Sequence, residues 1–189
     1  MKQLFLFISL LIMSCSLQAQ VPNFVKEFKE APIENGKVVF SRSVSLKQSD
    51  DSSYQALRIW ARNNYGKDPF ISSLRYNNDG KSITARSRIE LLLPTNSAGV
   101  REKVTMRYRL DISTIGNLCI IKYSNISYMY ENPNKNALLP KLTKAENMIT
   151  ADAIASDETL KEIRSNTLKS TLYFINQTNH ELYSALLAK

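Results

Sequence analysis

Four arginines stand at alternate positions in two neighbouring stretches of the chain, Arg86 and Arg88 in the first, Arg107 and Arg109 in the second. Side chains along a β-strand change sides with period two, so each pair shares a face. If the two strands pair in register, four guanidinium groups stand on one sheet face, with Lys122 able to join from a third strand. Planar guanidinium groups grip carboxylate, phosphate or sulfate through paired N–H donors. The chemistry on offer is anion binding. The plain alternative is an ordinary solvated face whose charge is relieved by Glu90 and Asp111. Tyr123, Tyr128 and Tyr130 are open to two roles, stacking against sugar rings or bases, or filling core and edge positions.

Catalytic chemistry is poorly supplied. His180 is the one histidine, and the chain has two cysteines, Cys15 and Cys119. Zinc sites are built from four ligands of these types and carboxylates, and no usual set can be assembled here. The run His180-Glu181-Leu182-Tyr183-Ser184 begins like a metalloprotease helix but lacks a second His four residues on. No glycine-rich phosphate loop or nucleophile-elbow pattern occurs. Asp50-Asp51 reads as helix capping rather than as an acid–base pair. Glu90 and Asp111 could face each other across neighbouring strands, where cross-strand ion pairing competes with a carboxylate-based hydrolase. Cys119 sits in an apolar run, the setting of a buried, inert thiol. No catalytic residue, metal ligand or cofactor is assigned.

The amino terminus carries an address. Lys2 precedes the apolar run Leu4–Met13, and small residues lead to Ala19-Gln20. That order is a secretory signal peptide over residues 1–19, too short for the roughly 20 residues a membrane-spanning helix needs. Two cuts fit. One frees a protein beginning at Gln20; the other uses Ile12-Met13-Ser14-Cys15 as an imperfect lipobox and would lipidate Cys15. Export is expected in both cases, to the periplasm, outside the cell or, with lipid on Cys15, to the outer membrane. The lipid would be the chain's sole membrane contact. A net charge of +8 suits an anionic partner, and equally suits plain solubility.

Elements able to position the arginines follow from periodicity. Residues 20–35 are a lead-in, with Phe24, Val25 and Phe28 packing as a short helical turn that Pro32 ends. A first strand spans 37–46, and Ser49 and two acidic residues open a helix near 51–65, bearing Tyr54, Leu57, Trp60 and Ala61 on one face. Four strands follow over 70–76, 81–92, 101–112 and 118–130, the first two joined by the turn Asn77-Asn78-Asp79-Gly80. Short turns predict an antiparallel meander. Residues 132–140 are a linker. Beyond it, the spacing predicts a short helix over 142–149. A longer one opens at Ser156, with a stripe of Leu160, Ile163, Leu168, Leu172 and Ile175, broken near Asn176–Asn179. The domain thus covers 36–131 and a helical segment 141–189 packs on or beside it. The class is α+β, order β-α-β-β-β-β-α: a curved antiparallel sheet under helices, with extra C-terminal helices.

Gly36-Lys37-Val38-Val39-Phe40-Ser41 ahead of an acidic helix bearing Tyr and Trp resembles the start of domain-of-unknown-function family 4468. So do Asn78–Ile83, the run Tyr108-Arg109-Leu110-Asp111-Ile112, and Ile121–Tyr128. The resemblance covers about residues 33–131. It implies an exported protein of Bacteroides-type bacteria with a TBP-like fold, and it implies no site residues. A fold name does not fix function, and nucleic acid is not expected as a partner in vivo. The expectation is a non-enzymatic binding or scaffold domain of the cell envelope, its partner an unidentified envelope protein or anionic ligand. The alternatives are a binder of an anionic polymer through Arg86, Arg88, Arg107, Arg109 and Lys122, and a carboxylate-based hydrolase.

Overall fold

The computed structural model describes residues 26–130 and 142–187. The leader with Cys15, residues 20–25 of the lead-in and the 132–140 linker lie outside them.

Strands β1 (Ile33–Glu34) and β2 (Lys37–Val38) form a hairpin across Asn35-Gly36, both with positive φ (50° and 73°). Such a turn needs residues that tolerate the left-handed region, and Asn-Gly is its favoured pair. The stretch expected as one strand over 37–46 is therefore divided. Its first part closes this hairpin, and β3 (Phe40–Ser45) joins the main sheet. Residues 26–32 are not helical; Phe28 packs edge-on against Phe40, ring centroids 5.0 Å apart.

Helix α1 (Asp50–Tyr65) is capped by Ser49, whose hydroxyl accepts from the Ser52 N–H at 3.4 Å. Asp50 and Asp51 occupy its first turn, where the helix dipole favours negative charge. Tyr54, Leu57, Trp60, Ala61 and Tyr65 are its buried face. The strands β4 (Ser72–Asn77), β5 (Ser82–Leu92), β6 (Lys103–Ile115) and β7 (Leu118–Tyr130) then run as an antiparallel meander. Gly116 at φ 60° makes the two-residue turn between β6 and β7. The sheet order is β3-β7-β6-β5-β4. A short strand β8 (Thr143–Lys144) pairs β7 beyond the point where β3 stops.

The carboxyl-terminal segment differs from expectation. Instead of a helix over 142–149 the chain makes β8, then a 3₁₀ turn at Ala145–Asn147. Thr150 caps a short α2 (Ala151–Ala155). Helix α3 (Lys161–Leu187) is continuous through Asn176–Asn179. These asparagines have work inside the helix. The Asn176 side chain accepts from the Phe28 N–H at 2.9 Å and donates to its carbonyl at 3.1 Å, and Asn179 Oδ1 accepts from the Tyr123 hydroxyl at 3.2 Å.

α1 and α3 cover one face of the sheet. Phe40, Leu57, Ile83, Met106, Leu110 and Ile112 are almost wholly enclosed there. The buried centre of α3 runs through Thr167, Thr171, Ile175, Asn179, Leu182 and Leu186, with Ile163, Leu168 and Leu172 on its flanks. The stripe is rotated from the apolar one because the sheet presents tyrosine hydroxyls that need partners when buried. Thr171 donates to the Thr167 carbonyl at 2.8 Å, so the Tyr128 hydroxyl donates to Thr171 across 2.9 Å.

This pair makes a test. Thr171→Val leaves the Tyr128 hydroxyl buried without an acceptor and is expected to cost about 1–3 kcal/mol in urea unfolding. Adding Tyr128→Phe removes the orphaned group and is expected to recover part of that loss. Strictly additive losses would show that the two hydroxyls do not interact.

Candidate functional site

Register decides which face the arginines take. β5 and β6 pair so that Ala85 faces Leu110 and Ile89 faces Met106, on the helix-covered side. Arg86 then faces Arg109, and Arg88 faces Arg107, on the open side. Two like-charged cross-strand pairs stand in succession, although like charges directly opposite destabilise a sheet.

One of the four is neutralised within the fold. Arg109 donates from Nε to Asp111 Oδ2 at 2.7 Å and from a terminal nitrogen to Oδ1 at 2.8 Å. The Thr84 hydroxyl, opposite Asp111 in register, donates to the same Oδ1 at 2.7 Å. Partial burial pushes the Asp111 carboxyl up. The hydrogen bonds from Arg109 and Thr84, with the charges of Arg109 and Lys122, outweigh that and hold it below its ordinary value. Its hydrogen bond raises Arg109 in turn. Among the described residues no carboxylate lies within 4 Å of Arg86, Arg88 or Arg107.

The neighbouring strand opens room beside them. Arg107 pairs with Ser127 and Arg109 with Ser124, so Asn125 and Ile126 together oppose Tyr108. This is a β-bulge, with Asn125 at φ 51°, a conformation Asn tolerates better than most residues. It switches the parity of β7. Cys119, Ile121 and Tyr123 point into the core before it, Ile126 and Tyr128 after it. A groove of about 510 Å³ lies here, lined by all four arginines, Asn125 and Phe70 among others. Phe70 is 87% exposed at its rim.

The structure thus gathers Arg86, Arg88, Arg107 and Arg109 and leaves Lys122 outside the groove. Lys122 stands opposite Asp111, with its Nζ 3.7 Å from Glu34. Phe70 and Asn125 were missed. The change of parity among the apolar residues of 119–128 was the available signal for the bulge. Phe70, one residue after a proline, gave none.

The other candidates are dispersed. Glu90 and Asp111 do not face each other: Glu90 is opposite Thr105, six positions along β6 from Asp111, and is bonded to Lys103 at 2.7 Å. Each has its own cation, which is how the strand register disposes of both. Asp51 pairs with Lys81 at 2.9 Å. His180 is half-exposed with its Nε2 3.7 Å from Glu27. Burial pushes the Cys119 thiol up to about 12, well away from a reactive thiolate. Tyr123 and Tyr128 are in the core, bonded to α3, and Tyr130 donates to Glu102, so none of the three stacks above the arginines.

A twisted antiparallel sheet in the order β3-β7-β6-β5-β4, with its helices on one face, defines a TBP-like α+β protein. Residues 40–129 match the family model described as "Domain of unknown function (DUF4468) with TBP-like fold". It is similar to a TBP-like protein from Parabacteroides distasonis, 29% identical, over 83% of this chain and 97% of the other, with a TM-score of 0.68. It also shares its fold with a DUF4468 family protein from Bacteroides ovatus, 18% identical, over 86% and 94% of the two chains, with a TM-score of 0.67. No curated protein matches it.

The Asp111 contacts predict an acid-side dependence. A carboxyl held low in the folded state stabilises above its unfolded value, and that contribution disappears as pH falls through the folded value. Asp111→Asn is expected to cost about 1 kcal/mol near neutral pH, the site being half-exposed. The gap between variant and parent should close as urea titrations move into the acid range. A gap independent of pH would show that the charge on Asp111 contributes nothing.

Proposed function

We propose that this chain is a non-enzymatic binding domain of the cell envelope that holds an anionic ligand or polymer through the face bearing Arg86, Arg88, Arg107 and Arg109. One observation carries the reading: two successive arginine–arginine pairs share a groove, and three of the four cations have no counter-charge among the described residues. An acidic polysaccharide or another polyanion supplies what the fold withholds. Residues 1–19 support export, by signal-peptidase cleavage before Gln20 or by lipid attachment at Cys15. Separate cation partners for Glu90 and Asp111 give the hydrolase reading no support.

Heparin is a suitable probe. The parent is expected to be retained on a heparin column and released by moderate salt, as contacts between fixed charges are screened. Arg86→Glu with Arg107→Glu should elute much earlier. Lys47→Glu with Lys169→Glu, the same change of charge at exposed positions elsewhere, should elute close to the parent. Equal shifts for the two double variants would reduce the effect to net charge and defeat the assignment. Intact mass from fractionated cells tests export: loss of residues 1–19, or a lipidated Cys15, is expected, and a full-length soluble species in the cytoplasm is not.

A further inference from the structure

β4 ends the sheet on one side, and among the described residues no strand lies beyond it. The Arg88 N–H donates to the Ile71 carbonyl at 3.2 Å. In an antiparallel ladder this fixes the alternation: Ser73, Arg75 and Asn77 turn their backbone groups to β5, and Ser72, Leu74 and Tyr76 turn theirs outward. The Asp68 carbonyl takes the Ser72 N–H at 3.0 Å. No other described element meets the outward groups of Leu74 and Tyr76. Edge strands are ordinarily blunted by a proline, a bulge, a cover or charge. Between Ser72 and Asn77 only Arg75 serves that end.

Both flanks of this edge are shaped and basic. On the open side lies the arginine groove, which reaches Ser73 and Arg86. On the helix side lies a cavity of about 490 Å³ lined by Arg58, Ile59, Arg62, Leu74 and Tyr76. Ile59 is 63% exposed, and the Arg58 guanidinium sits 5.0 Å from the Tyr76 ring. Among the described residues none of Arg58, Arg62, Arg75, Arg86 and Arg88 has a carboxylate within 4 Å. A strand laid along β4 sends alternate side chains to the two flanks. Carboxylates suit the open side, and branched apolar groups suit Ile59, Leu74 and Tyr76.

We propose that the β4 edge accepts an extended acidic segment of a partner protein as an added strand, hydrogen-bonded to Leu74 and Tyr76. A second copy of this chain is the poorer occupant, because pairing β4 with β4 brings Arg58 and Arg75 of one copy against those of the other. The proposal shares Arg86 and Arg88 with the heparin reading for its carboxylates but adds backbone hydrogen bonds that heparin cannot make, so comparing Pro with Ala at Tyr76 tests the added strand apart from that reading.

The probe is a capped peptide of alternating Glu and Val, about six residues long to match a typical strand. Amide hydrogen exchange followed by NMR is expected to show protection gained at Leu74 and Tyr76, and an alternating Lys–Val peptide is expected to give none. Tyr76→Pro removes an outward N–H that no sheet bond uses, a change edge strands tolerate. It should weaken peptide binding about tenfold beyond Tyr76→Ala, which keeps the N–H. Equal affinities for the Pro and Ala variants, or protection confined to Ser41–Ser45 at the opposite edge, would overturn the proposal. So would concentration-dependent protection of Leu74 and Tyr76 without peptide, which would assign the edge to a second copy.

Discussion

Met106 and Leu110 leave no surface to solvent, and Ile83 and Ile112 almost none, all on the face beneath the helices. Burying each such side chain is worth about 1.5–3 kcal/mol. A like-charged cross-strand pair costs less than about 1 kcal/mol. The burial term therefore fixes the register of β5 against β6. A one-residue slip of β5 would send Arg86 and Arg88 into the core, and one of β6 would send Arg107 and Arg109 there. Having fixed the register, burial also fixes the opposition of the four arginines, whatever their own repulsion favours. The open face carries an unfavourable charge arrangement because the covered face overrides it, and a bound anion would relieve that arrangement without disturbing the core.

The same face is kept open by where the helices are anchored. α3 is held to the sheet by apolar contact through Ile175, Leu182 and Leu186, and by the hydroxyls of Tyr123 and Tyr128 on Asn179 and Thr171. Thr167, Thr171 and Thr178 return their own hydroxyl hydrogens to carbonyls one turn back, while Asn179 Nδ2 is buried with no hydrogen-bond partner among the described residues. A buried network of this kind specifies one docking of the helix, since another rotation would strand several polar groups at once. Arg42, at the edge of the covered face, is only partly satisfied, since its Nε is buried with no hydrogen-bond partner among the described residues. It lies over the Phe28 ring, 3.9 Å from its centroid, and donates to the Lys26 carbonyl.

Much of this could be read from residue order. Alternation in β6 is strict as far as Ile112 and in β5 is broken only by Ser87 and Leu92, so strands, covered face and arginine face all follow from period two. α1 carries its own start signal in Ser49-Asp50-Asp51, and its buried face recurs at three and four. The failures have physical causes. Asn35-Gly36 encodes a two-residue hairpin, but the strands beside it are only two residues long and give no periodic signal. α3 buries threonine and asparagine, so an apolar stripe is the wrong template for it, and asparagines that look like breakers are held by tertiary hydrogen bonds. Lys122 has the right parity for the site and the wrong neighbour: register puts it against Asp111 instead of beside the groove.

The bulge joins the site to the core. Without the extra residue at Asn125, β7 could not bury both Tyr123 and Tyr128, because an odd and an even position would fall on opposite faces. With it, Ser124 and Ser127 oppose Arg109 and Arg107, and Ser73 opposes Arg86 on the other flank. Small hydroxyl-bearing neighbours on both sides leave the guanidinium groups uncovered and add donors that an anion can use. A larger residue at Ser124 or Ser127 would shade the groove while leaving the core untouched. The TBP-like fold by itself decides none of this. In this sheet the device which lets two tyrosines reach α3 also sets small serines against the cations on the other side.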